Sequence, residues 1–149
     1  MPSIEVPENY GFVLLTCGIL PAVTNVFLST AVMKARKEFN VKYPNLYATP
    51  GYHKQADEFN RVQRGHQHVF ETLADFHVVS FIGGLKHPLV CAVSGVTYCL
   101  GNYLYLQGYK DTKLDVKTAR LMKGGPLNVL SVLISMGCAI SSTISLIKA

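Results

Sequence analysis

The sequence predicts an all-α, polytopic membrane protein: four transmembrane helices in one up-down-up-down bundle. Three observations lead there. The chain of 149 residues is 49% hydrophobic and only 15% charged, with mean hydropathy +0.24, whereas a soluble domain carries roughly 25% charged residues. Its apolar residues are gathered into runs about as long as the 20 residues that cross a hydrocarbon core. The connections between runs are short and polar, so successive helices return antiparallel. The length suits a single domain, residues 1–149.

The first span is expected at residues 11–33, GFVLLTCGILPAVTNVFLSTAVM, interrupted by Pro21, Thr24 and Asn25. Proline is tolerated in a spanning helix when neighbours satisfy the carbonyl it frees. No signal-peptide pattern precedes it, because the first ten residues contain Glu5 and Glu8 but no Lys or Arg. The run is therefore expected to be retained. A basic segment with Lys34, Arg36, Lys37 and Lys42 follows, and then a loop punctuated by Pro44, Pro50 and Gly51.

The second span, residues 58–83, opens with FNRVQRGHQHVFETLAD. At about 100° per residue, Asn60, Gln67, Glu71, Arg64, Asp75, His68 and Arg61 fall within an arc of roughly 120°. Val62, Val69, Phe70, Leu73, Ala74 and Phe76 take the remaining face. Gly84 to Pro88 reads as a tight turn, with proline suited to the first turn of the next helix. The third span is expected at 88–108, where Tyr98, Asn102, Tyr105 and Tyr109 recur at helical spacing on one face. The polar segment YKDTKLDVKTARLMKGG leads to the fourth span, 126–147.

Basic residues orient the bundle. The segment Lys34–Arg64 holds seven Lys or Arg and Lys110–Lys123 holds five, whereas the turn between spans two and three has only Lys86. The positive-inside rule places the two basic connections in the cytosol and both termini on the far side. The net charge of +5 is thus accounted for by topology, and a nucleic-acid role is not expected. Cys17, Cys91, Cys99 and Cys138 lie in apolar runs without CxxC spacing and read as buried thiols, with no metal site.

This topology brings Arg36, Arg61, Arg64, His68, Glu71, Asn102, Tyr105, Tyr109, Lys117 and Arg120 to the cytosolic end. Ionisable groups within spans face a bundle interior or a wet cavity. Several cations with one carboxylate suit a small ligand with several carboxylates and one ammonium, since Arg pairs with carboxylates bidentately. A thiol beside a guanidinium has its pKa lowered and becomes nucleophilic. Glutathione has two carboxylates, an ammonium and a thiol. An anionic lipid head group or a nucleotide satisfies the same charges, and Arg64 with Glu71 reads equally as an ion pair locking helices together.

Four stretches carry a family resemblance: YGFVLLT at residues 10–16, KARKEFNVKYP at 34–44, FNRVQRGHQ at 59–67 with Glu71, and YLQGY at 105–109. With them the chain resembles the MAPEG superfamily of membrane glutathione enzymes, and within it the type-three microsomal glutathione transferases. The resemblance implies a homotrimer of four-helix bundles in the endoplasmic reticulum or a related organelle membrane. It implies glutathione as co-substrate, held between protomers at a site facing the cytosol. The implied glutathione contacts are Arg36, Arg64, His66, His68, Glu71, Tyr105 and Tyr109. The thiolate-stabilising residue is assigned to Arg120, with Lys117 as the alternative. His66 stands roughly 160° from Arg64 on the helix, which a site shared between protomers accommodates. Two positions depart from the pattern: the family's usual Asn is His68, and the Tyr after the Glu in the leukotriene C4 synthase branch is Thr72.

The implied function is a glutathione transferase with peroxidase-type activity. It conjugates glutathione to lipophilic electrophiles and reduces lipid hydroperoxides, with leukotriene C4 synthase-like activity within its range. The membrane lipid delivers the second substrate. The alternative is a non-enzymatic lipid-binding scaffold of the same superfamily. A proton or ion carrier would use the same buried charges. Among the other residues, Tyr98 and Tyr103 read as packing or interfacial residues, His53 and His87 as solvated loop residues, and Asp75 as a carboxylate paired across helices.

Overall fold

Four long helices and one short one make up the computed structural model, which describes residues 6–148; Glu5 lies outside them. We label the helices α1 (Tyr10–Glu38), α2 (Ala56–Gly84), α3 (Pro88–Lys110), α4 (Val116–Met122) and α5 (Gly125–Lys148). Three segments are long and apolar enough to cross a membrane: α1, α3, and Val116–Lys148, which joins α4 to α5. Helix α2 is also long, at 29 residues. It does not meet the same criterion of apolarity, because the polar face read from the sequence dilutes it.

The helix boundaries follow local chemistry. Pro21 has no N–H to offer the carbonyl of Cys17, and the turn ahead of it, Leu14–Ile19, is wound as π-helix. Gly95 lets α3 lie directly against that turn, for a Cβ there would stand 2.5 Å from the Thr16 carbonyl oxygen. Pro88 occupies the first turn of α3, where a missing donor costs nothing. Asp115 caps α4 by accepting from the Lys117 backbone N–H at 3.0 Å.

Apolar side chains fill two interior clusters and also cover the outside of the bundle. Ser80, Ser94, Ser131, Ser135, Ser142, Asn102 and Asn128 are buried, while Phe12, Ile19, Val23, Val26, Val93, Leu133 and Ile140 are exposed. The serines join α2, α3 and α5. Ser80 donates to Ser135 at 3.1 Å, Ser94 donates to the Ser131 carbonyl at 2.7 Å, and Ser142 donates to the Gly83 carbonyl at 3.1 Å. Small polar side chains between helices and apolar ones outside are the arrangement of a lipid-embedded bundle. The chain is an integral membrane protein by this measure.

The ends of the bundle are tied differently. At one end Arg61 is buried and spends its guanidinium on three backbone carbonyls, those of Tyr109 (2.7 Å), Asp111 (2.7 Å) and Leu114 (2.8 Å). The start of α2 is thereby fastened to the end of α3. At the other end Lys86 donates to Ser145 at 2.7 Å, and His87 meets Ser141 at 2.9 Å. His87 is therefore a helix-to-α5 contact rather than a solvated loop residue. Replacing Arg61 by Ala strands three carbonyl acceptors, at about 1–3 kcal/mol for each one left without a partner. We expect a clear loss of thermal stability in Arg61→Ala, read as a lower midpoint in a detergent melting curve.

Candidate functional site: a half-polar cleft between α2, α3 and α5

At the Arg61 end, α2, α3 and the α4–α5 junction enclose a cleft of about 600 Å³. Its polar wall is Arg64, His68, Glu71, Tyr105 and Arg120. Its apolar wall includes Leu121, Val129, Leu130 and Leu133. Positions 64, 68 and 71 stand one above another on α2 because three- and four-residue steps return to one helix face. Arg64 holds Glu71 bidentately, Nη1 to Oε1 at 2.9 Å and Nη2 to Oε2 at 3.0 Å. His68 lies between them, its Nδ1 3.8 Å from Glu71 Oε2 and its ring stacked on Tyr105 at 4.0 Å.

The Arg64 and Glu71 side chains are 38% and 46% exposed. At such exposure an ion pair contributes about 0–1 kcal/mol. A ligand that offers Arg64 a carboxylate and Glu71 an ammonium can open the pair at little cost.

Arg120 reaches the cleft because the chain folds back over α3. Gly124 has φ +96° and sits on Tyr105, where a Cβ would come within 2.5 Å of the Tyr105 backbone nitrogen. Only glycine fits both that φ and that approach. The hairpin so formed sets Arg120 on the cleft wall, while Lys117 does not line it. Asp111 and Lys123 close the loop from outside at 3.5 Å.

The sequence-predicted residues separate into groups. Arg64, His68, Glu71, Tyr105 and Arg120 share one cleft. Tyr109 is buried behind it, its ring 4.9 Å from that of Tyr105. Arg36 and His66 are elsewhere within this protomer. Arg36 donates to the Asn45 carbonyl at 2.8 Å and lies 4.5 Å over the Tyr43 ring. His66 meets Asn25 Oδ1 at 3.0 Å on the α1 side of α2, as the 160° offset on the helix wheel requires. Arg61 and Asn102 are buried in packing roles. Asp75 is exposed, with no hydrogen-bond or ion-pair partner among the described residues.

Tyr98 is the packing residue its sequence position predicts, while the apolar wall of the cleft is not among the sequence-predicted site residues. Tyr98 is buried, stacks on Phe76 at 4.0 Å, and its hydroxyl lies 2.8 Å from Thr72 Oγ1. A phenol from α3 thus arrives at position 72, where one branch of the resemblance has its own tyrosine. The shared face of Tyr98, Asn102 and Tyr105 was the available signal. For the wall it was the spacing of Val129, Leu130 and Leu133. Among the described residues, no three His, Cys, Asp or Glu side chains gather as a metal site.

Fold and site together define an α-helical membrane protein whose cleft has a polar wall bearing two arginines and an apolar wall opposite. A family model for MAPEG matches residues 13–146, so the chain belongs to the MAPEG family. That family includes glutathione transferases and peroxidases and generally uses glutathione.

Proposed function

We propose that this protein is a membrane glutathione transferase with peroxidase-type activity, acting on lipophilic electrophiles and lipid hydroperoxides. The observation that carries the reading is the cleft itself: Arg64, Glu71, Tyr105 and Arg120 on one side, Val129, Leu130 and Leu133 on the other. Its volume of about 600 Å³ lies within the range of small-ligand sites, roughly 300–1,000 Å³. Arg64 would take a glutathione carboxylate, Glu71 the ammonium, and Arg120 the charge of the thiolate. The thiolate attacks the electrophilic carbon of a substrate seated on the apolar wall and its leaving group departs. With a hydroperoxide, thiolate sulfur attacks the terminal oxygen and the O–O bond breaks. The alcohol leaves and the sulfenic acid formed condenses with a second glutathione to the disulfide and water.

The same reading has α2 as the fourth span, the bundle as a homotrimer, and the cleft facing the cytosol in the endoplasmic reticulum or a related membrane. The strip Phe70, Glu71, Ala74, Asp75 and Val78 on α2 is exposed in a single chain. A carboxylate at that depth is costly against lipid, which favours cover by a neighbouring protomer. Arg36 and His66, turned away from their own cleft, suit a site completed across that contact.

Purified protein in lipid should consume glutathione when given a lipophilic aryl halide or a lipid hydroperoxide. Binding of lipids without glutathione consumption would instead favour a lipid-binding scaffold, and glutathione-independent ion flux in liposomes a carrier. His68→Asn restores the residue usual in the family and keeps a hydrogen-bonding group on the cleft wall. We expect glutathione affinity in calorimetry to be retained or improved. A large loss would give the His68 ring, stacked on Tyr105, a role of its own.

A further inference from the structure

A second cleft, of about 520 Å³, opens at the same end of the bundle between α1 and α3, with the start of α2 as its floor. It shares no lining residue with the first. Its lining is ordered along α1, and α3 repeats the first two steps of that order. Deepest lie Phe27 of α1 and Tyr103 of α3, their rings 6.3 Å apart and both exposed. About two turns nearer the end come Lys34 and Lys110. Outermost on α1 is Glu38, and Glu58 of α2 joins the lining from the floor. At 1.5 Å per residue, Lys34 stands about 10 Å above Phe27, and Glu38 about 6 Å above Lys34.

Among the described residues, none of Lys34, Glu38, Glu58 and Lys110 takes part in an ion pair. Lys34 and Glu38 are one helical turn apart, the spacing at which a Lys and a Glu can pair, yet they do not. Two cations and two carboxylates therefore border one cleft with their charges unspent. From the membrane outward the cleft offers apolar surface, then positive charge, then negative charge. A glycerophospholipid with an amine head group offers acyl chain, then phosphate, then ammonium.

We propose that this cleft binds a zwitterionic aminophospholipid of the ethanolamine type. The acyl chain lies along Phe27 and Tyr103, the phosphate between Lys34 and Lys110, and the ammonium against Glu38 and Glu58. A primary ammonium donates hydrogen bonds to carboxylates, which a quaternary choline cannot do. A head group of purely negative charge would meet the two glutamates with no cation to offer them. The site is separate from the glutathione cleft and does not depend on the reading given to that cleft.

The test is native mass spectrometry of the full chain in detergent, with phosphatidylethanolamine, phosphatidylcholine or phosphatidylglycerol added. The expected result is one phosphatidylethanolamine retained per protomer in preference to the other two. Each lysine near a membrane surface strengthens anion binding about fivefold, so Lys34→Gln with Lys110→Gln should weaken retention about thirtyfold. Glu38→Gln with Glu58→Gln should abolish the preference for phosphatidylethanolamine over phosphatidylglycerol. Equal retention of all three lipids by the unmodified protein would overturn the proposal, as would a lysine double variant that retains lipid unchanged. Loss of lipid in Arg64→Ala would also overturn it by assigning the lipid to the other cleft. The detergent melting midpoint of each double variant, measured alongside, shows that it is folded.

Discussion

Arg64→Ala is expected to lose most of the affinity for glutathione. Two partners depend on this guanidinium: Glu71, which it holds through both oxygens, and the ligand carboxylate that takes its place on binding. Truncation leaves the ligand's carboxylate without its cation, in a cleft whose other wall is hydrocarbon. Removing one member of such a pair costs about 2–5 kcal/mol, much of it the penalty of stranding the remaining charge. That is about 30-fold to several-thousand-fold in the dissociation constant. Arg64→Lys should recover only part, because an ammonium cannot present a planar fork to a carboxylate. Calorimetry on folded protein decides the matter, and unchanged affinity in Arg64→Ala would remove glutathione from this cleft.

Arg120→Ala is expected to behave in the opposite way, lowering turnover while leaving affinity nearly intact. A cation beside the sulfur interacts more strongly with thiolate than with thiol. It therefore shifts a pKa rather than anchoring the ligand. A lowering of two units corresponds to about 2.7 kcal/mol. The bound thiol is then ionised near neutral pH. Without Arg120 its pKa returns upward, so activity should appear only as the pH rises toward about 8.5, the value of an unperturbed thiol. Lys117→Ala should be mild, since Lys117 lies off the cleft wall that Arg120 lines. A pH–rate profile with a silent Arg120→Ala and a dead Lys117→Ala would reverse the assignment. If both are silent, Tyr105→Phe tests the next donor on the wall with almost no change in packing.

These two arginines also mark how far the sequence could be read. Arg64 and Glu71 are seven residues apart, which on any straight α-helix is the same face, so their meeting followed from spacing alone. The displacement of His66 toward α1 followed from the same geometry. Helices α1, α3 and α5 were legible because their apolar runs are about as long as a bilayer is thick, and α2 because its polar and apolar residues sort onto two faces. Beyond Tyr109 the spacing rule fails, for the chain leaves α3, passes through the short helix α4 and turns back at Gly124 into α5. Whether Arg120 or Lys117 faces the cleft is set by that reversal at φ +96°. No periodicity in the intervening residues encodes it. Arg61 shows the converse limit. It shares the polar arc of Arg64, yet it sits one turn nearer the end of the bundle. There the free carbonyls at the end of α3 claim it before any ligand could. Tyr98 was legible as a packing residue but its partner was not, since Thr72 belongs to another helix and the pair is revealed only by packing.

The central claim is that the cleft holds glutathione as a thiolate. Ultraviolet difference spectroscopy of the purified protein, titrated with glutathione near neutral pH, tests it most directly. The account predicts a thiolate absorbance that grows to saturation with the wild-type chain. With Arg120→Ala that absorbance should be recovered only at more alkaline pH. Saturable binding of glutathione with no thiolate absorbance at neutral pH in the wild-type protein would contradict it.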